Sequence, residues 1–144
     1  MTKNTEFGDD LKRSGLKNTK QRTAILEILE QNDQPMAAEQ VFLELKNKDM
    51  PVNLSTVYRT LETLTDINLA TKLDIAGEHR TLFEYNQKVH GHHLVCLQCK
   101  KILKIHRCPL ESYEETLERE TYFKISGHKL VVYGLCLQCQ KDIE

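Results

Sequence analysis

Two Cys-x-x-Cys pairs, Cys96-Leu97-Gln98-Cys99 and Cys136-Leu137-Gln138-Cys139, are the residues of this sequence best placed for chemistry. Each pair sets two thiolates on one tight knuckle, and two knuckles complete the tetrahedron that zinc prefers. The 36 residues between them leave room for a helix and a long strand. The N-terminus lacks the apolar core of a secretory signal, so a cytoplasmic setting is expected, and there paired cysteines favour a metal over disulfides. A closed structural zinc site at Cys96, Cys99, Cys136 and Cys139 is the expectation; two redox pairs are the alternative.

A second cluster, His90-Gly91-His92-His93, lies just before the first knuckle. On an extended chain side chains alternate, so His90 and His92 share one face and His93 takes the other. Glu111 and His128 give a possible four-ligand set with them. Nitrogen and oxygen donors without sulfur suit zinc, iron, manganese or nickel. The fifth cysteine, Cys108, stands before Pro109 at a helix start, where a reactive thiol is conceivable; the reading preferred here is a partly buried small apolar residue.

The chain has 20 Lys+Arg and 21 Asp+Glu, yet the charge is uneven. Between Leu11 and Leu26 stand Lys12, Arg13, Lys17, Lys20 and Arg22 with no acid among them. A nucleic-acid contact would therefore be confined to one small surface. No apolar run approaches the roughly 18 residues needed to cross a bilayer, so no membrane partner is expected.

The elements that must position these groups follow from periodicity. Ala24, Ile25, Ile28 and Leu29 mark an amphipathic helix capped at Asn18 or Thr19. A second helix is predicted from Ala37 to about Lys46, and a third from a Ser55 cap to near Asp66. The third presents Ser55, Thr56, Tyr58 and Arg59 at its start, where a recognition helix meets base edges and phosphates. Strands at Leu69–Leu73 and Arg80–Tyr85, turning at Ala76-Gly77-Glu78, make the module winged. Beyond it, strands at His93–Cys96 and Lys101–Ile105 flank the first knuckle, and a helix runs from Leu110 to Glu120. Phe123–Tyr133 alternates well enough to be the longest strand. The fold class is α+β, with a winged-helix domain over 1–86 and a smaller α/β domain over 87–144.

In this order the parts resemble the ferric uptake regulator family of metal-dependent repressors over nearly the whole chain. The resemblance is carried by Gly15-Leu16-Lys17 with Thr19 and Arg22, by Ser55-Thr56-Val57-Tyr58-Arg59-Thr60-Leu61 and by His90 to Cys99. Gly127-His128-Lys129-Leu130 and Tyr133-Gly134-Leu135-Cys136 complete it. It implies a homodimer that binds an inverted-repeat double-stranded DNA operator when loaded with a regulatory divalent metal. It places the structural zinc on the four cysteines and the regulatory metal on His90, His92, Glu111 and His128. A hinge site transfers less completely: Glu84 and His93 match, whereas Gly91 and Lys104 stand where the family carries ligands. Cys108-Pro109 and Ser126-Gly127-His128-Lys129 are similar to segments of the zinc uptake regulator branch.

The expected function is a zinc-responsive transcriptional repressor of metal-uptake genes, with no enzyme activity. Iron response or peroxide sensing within the same family is the alternative, and a zinc-dependent hydrolase the remote one. Lys17, Lys20 and Arg22 are expected to grip the DNA backbone, each adding salt-dependent attraction.

Overall fold

The computed structural model describes residues 3–13, 15, 19–87 and 90–143, and the chain divides into two compact units, Met1–Gln87 and Lys88–Glu144. The first is built on four helices, α1 (Lys3–Arg13), α2 (Lys20–Gln31), α3 (Ala38–Asn47) and α4 (Leu54–Asp66). Three short strands join them, β1 (Met36–Ala37), β2 (Ala70–Leu73) and β3 (Leu82–Tyr85), in the order β1-β3-β2.

Thr19 starts α2, its Oγ1 accepting from the Arg22 N–H at 3.1 Å. The cap of α4 is Asn53 rather than the expected Ser55. Its Oδ1 accepts from the Thr56 N–H at 2.8 Å, so the helix begins two residues earlier and Ser55 lies inside the first turn. Helix α1 was not expected from periodicity, yet Phe7 and Leu11, one turn apart, are fully packed against the helical core. That core comprises Ile25, Leu26, Val41, Leu45, Val57, Leu61 and Leu64, closed by Phe83 from the sheet. Full burial stabilises by about 1.5–3 kcal/mol per large apolar side chain, which fixes α3 and α4 as a helix-turn-helix. The hairpin of β2 and β3 follows as the wing, with Gly77 (φ +81°) in its turn.

The second unit contains β4 (His92–Cys96), β5 (Ile102–Ile105), α5 (Glu111–Thr121), β6 (Val131–Gly134) and α6 (Leu137–Ile143). Strand β4 is central, antiparallel to β5 and parallel to β6. A parallel pair needs a crossover, and α5 supplies it. The expected long strand over Phe123–Tyr133 is reduced to Val131–Gly134. Tyr122 ends α5 in the left-handed region (φ 62°), and residues 122–130 return the chain to the sheet outside any ladder. Among the described residues this unit buries few side chains: Val95, Ile102, Cys96, Cys139 and His92. Helix α5 buries none.

Candidate metal centres and nucleic-acid face

The β4–β5 hairpin turns at the first knuckle, where Cys96 N–H donates to Lys101 O at 2.9 Å and Lys100 N–H to Cys96 O at 3.0 Å. The second knuckle runs from the end of β6 into α6. Parallel pairing of Cys96 with Gly134 brings the knuckles together, and the Sγ atoms of Cys96, Cys99, Cys136 and Cys139 lie within 4.8 Å of one another. The Cys136 N–H points at Cys96 Sγ across 3.4 Å. Hydrogen bonding from Cys136, Cys99 and Gln98 backbone amides draws the Cys96 thiol down to about 5. Cys139 is pushed up to about 12, first by its hydrogen bond with Cys136 and then by burial. Four sulfurs this close repel as anions, and a dication at their centre relieves that repulsion. Zinc fits this donor set.

The other cluster sits at the opposite end of β4. His92 opens the strand and is buried, and His90 precedes it by two residues. His128 arrives from the irregular segment before β6. His90 Nε2 and His92 Nε2 each lie 3.1 Å from His128 Nε2. Burial, then repulsion from His90, His128 and His93, lowers the His92 pKa and keeps the ring neutral, the form that ligates. Glu114 of α5 holds His128 Nδ1, which fixes the tautomer and leaves Nε2 facing the cluster.

The structure brings His90, His92 and His128 together but places the exposed Glu111 outside their group. Cys108 stands there instead, its Sγ 3.3 Å from His92 Nε2 and 3.2 Å from His128 Nε2. Cys108 is half-buried, as expected, and faces two imidazole rings. The β4–β5 register pairs His92 with Ile105, so the chain just past β5 runs back alongside His90. Glu114, the other residue the sequence reading missed, carries no signal beyond lying one helical turn from Glu111. Of the hinge candidates, Glu84 is buried on β3 of the first unit and His93 half-buried on β4 of the second.

On the first unit, Ser55 and Arg59 are exposed at the start of α4, with Thr56 half-buried between them. Arg59 donates to Thr56 Oγ1 at 3.4 Å. Tyr58 is 39% exposed, and its hydroxyl donates to Glu39 Oε1 of α3 at 2.6 Å. That bond lowers the Glu39 pKa and raises that of Tyr58. Lys20 is exposed and Arg22 half-buried in the first turn of α2, while Lys17 lies outside the described residues. No helix among the described residues is long and apolar enough to cross a membrane.

Known proteins share this fold. Residues 13–133 match the ferric uptake regulator family. The ferric uptake regulation protein of Bacillus subtilis is 38% identical over 132 residues, covering 90% of this chain and 89% of its own. That of Escherichia coli K12 is 30% identical over 141 residues, covering 96% and 95%. The crystal structure of the Vibrio cholerae ferric uptake regulator superposes with a TM-score of 0.76 at 31% identity, covering 90% of this chain and 98% of that one. The Helicobacter pylori regulator, described as having three functional metal binding sites, gives a TM-score of 0.79 at 26% identity, covering 94% and 90%. Such proteins are metal-responsive transcription regulators with an N-terminal winged-helix DNA-binding domain and a dimerisation domain, not enzymes, which removes the hydrolase alternative. The winged helix, the paired knuckles and the match along most of the chain together make it a member of the ferric uptake regulator family.

Proposed function

We propose that the chain is a zinc-responsive repressor, binding an inverted-repeat operator as a homodimer when its histidine centre is loaded, with a structural zinc in the four-cysteine cluster. The observation that carries this reading is the convergence of the His90 and His92 Nε2 atoms, each 3.1 Å from His128 Nε2, at the end of β4 where His92 is buried. A nitrogen-rich donor set binds zinc ahead of ferrous iron and manganese in the usual order of divalent affinities. A divalent cation there would supply the positive charge that holds the converging donors in place.

His90 and His92 lie just after the wing, whereas His128 and Glu114 belong to the α5–β6 crossover. Joining them restricts the segment that opens the second unit. If the restricted dimer presents both α4 helices at operator spacing, ion and operator binding favour the same state and strengthen each other. Lys17, Lys20 and Arg22 would hold phosphates, with Ser55, Thr56, Tyr58 and Arg59 at the base edges. Exposed Leu103, Tyr113, Phe123, Val132, Leu135 and Leu137 on the second unit support a surface buried by a second copy.

Iron response is the second reading, favoured by the name the relatives carry. Operator binding titrated anaerobically against free zinc, ferrous iron and manganese separates the two. His90→Ala and His128→Ala should abolish the metal response while leaving dimer and structural metal intact. A wild-type response in both, with loss in Glu84→Ala or His93→Ala, would move control to the hinge pair and reopen iron.

A further inference from the structure

Four donor separations in the histidine centre are 3.1 Å from His90 to His128, 3.1 Å from His92 to His128, 3.2 Å from Cys108 to His128 and 3.3 Å from Cys108 to His92. A tetrahedral zinc with nitrogen at about 2.0–2.1 Å and sulfur at about 2.3 Å sets its donors roughly 3.3 Å apart for two nitrogens and roughly 3.5 Å for nitrogen and sulfur. The observed edges fall a few tenths of an ångström inside those values, and all four donor atoms lie within 4.8 Å of one another.

Hydrogen bonding accounts poorly for so tight a group. With Nδ1 of His128 protonated against Glu114, its Nε2 is a lone pair. That lone pair faces two more ring nitrogens and a sulfur, more atoms than a single donated proton can satisfy. A cation at the centre satisfies all four. Glu111, on the first turn of α5, is exposed and contributes no atom to the group.

We propose that Cys108, and not Glu111, supplies the fourth donor of this centre, making it a three-imidazole, one-thiolate site for a borderline-soft divalent cation such as zinc or cobalt. This rests on reading the cluster as the sensing site, and it departs from the carboxylate-bearing set that the family resemblance implied. Exchanging a carboxylate for a thiolate shifts preference away from manganese and magnesium, which favour oxygen, and towards zinc. The ligand must bind as thiolate, so loading releases the Cys108 proton to solvent.

Cobalt(II) reports the donor set directly. Full-length protein with its four-cysteine cluster filled by zinc is titrated with cobalt and followed by absorption. The expected result is one further equivalent bound, with the intense visible bands of a four-coordinate ion and a near-ultraviolet thiolate-to-cobalt charge-transfer band. His90→Ala should remove both, tying the signal to this centre and not to exchange at the knuckles. Cys108→Ser should lose the charge-transfer band and weaken zinc by more than the about 10- to 100-fold that loss of an outer partner costs. Cys108→Asp should restore a bound cobalt without that band. Glu111→Gln should match wild type.

A charge-transfer band that survives in Cys108→Ser, or spectra changed by Glu111→Gln, would overturn the proposal. The two readings fail separately. Cobalt bound through thiolate without any effect on operator affinity sinks the sensing role alone. A metal-dependent operator response identical in Cys108→Ser and wild type, with no thiolate band, sinks the ligand assignment alone.

Discussion

Removing the metal from the four-cysteine cluster should unfold the second unit and spare the first. Among the described residues, the second unit's buried apolar side chains besides its cysteines are Val95 and Ile102. At about 1.5–3 kcal/mol each, they contribute roughly 3–6 kcal/mol of burial. A structural zinc in a small domain is worth on the order of 10–16 kcal/mol at neutral pH, so the cluster outweighs the apolar core by about twofold or more. The first unit rests instead on an apolar core of its own, in which Ile25, Leu26, Val41, Leu45, Val57, Leu61, Leu64 and Phe83 are all fully buried. The perturbation is exhaustive chelation of wild type, with Cys139→Ser as the genetic equivalent, since Cys139 is only 4% exposed and central to the cluster. Hydrogen exchange read by mass spectrometry resolves the two units. Peptides covering residues 92–105 and 130–140 should lose protection, while those covering 20–66 keep theirs. Native protection of β4 and β5 with no metal bound would refute the reasoning.

Two further outcomes follow from the first unit. Operator affinity should fall steeply with salt, and Arg59→Ala should weaken it by about 1–3 kcal/mol if Arg59 reads a base, selectively at one operator position; measuring affinity across base-substituted operators checks this, and unchanged affinity would remove α4 as the reading element. The Glu39 carboxyl should titrate below its ordinary 4.5, chiefly because Tyr58 donates to it. A depressed folded value means the bond's contribution is present above 4.5 and is lost as the pH falls through the folded pKa. Carbon-detected NMR titration should show the midpoint returning upwards in Tyr58→Phe, and an unmoved midpoint would assign the shift to another cause.

Much of this was legible in the sequence where one local rule dominated. The cap of α2, which falls on Thr19 of the two positions expected, the apolar stripe of that helix and the turn at Gly77 each depend on neighbours within a few positions, and each stands where periodicity and turn chemistry put it. Alternation over Phe123–Tyr133 was real but could not say which residues find a ladder partner. Only the stretch facing His93–Cys96 does. Helix α1 was missed because Phe7 and Leu11 are sparse anchors among polar residues.

The histidine centre was half legible. Alternation correctly separates the faces of His92 and His93 in an extended strand, but the fourth donor depends on hairpin register. Extending the pairing of His92 with Ile105 past the strand end sets residue 107 beside residue 90, within reach of Cys108 and short of Glu111. The Tyr58–Glu39 bond links residues 19 apart on two helices and left no mark in the pattern.

The two clusters interleave along the chain, and interleaving couples their assembly. His90 meets His128 across 38 residues, and Cys99 meets Cys136 across 37. Each closed loop therefore contains one end of the other. Once the cysteines are joined, the path from His90 to His128 no longer runs through α5. It goes nine residues forward to Cys99, across the cluster, and eight back from Cys136. Shortening the loop from 38 residues to about 18 lowers its closure cost by about 0.7 kcal/mol. The gain is mutual, because a closed histidine centre shortens the 37-residue cysteine loop by the same path, so topology makes filling either cluster favour the other by roughly threefold. A chain that fills its knuckles at synthesis meets the fluctuating ion with half the loop already closed.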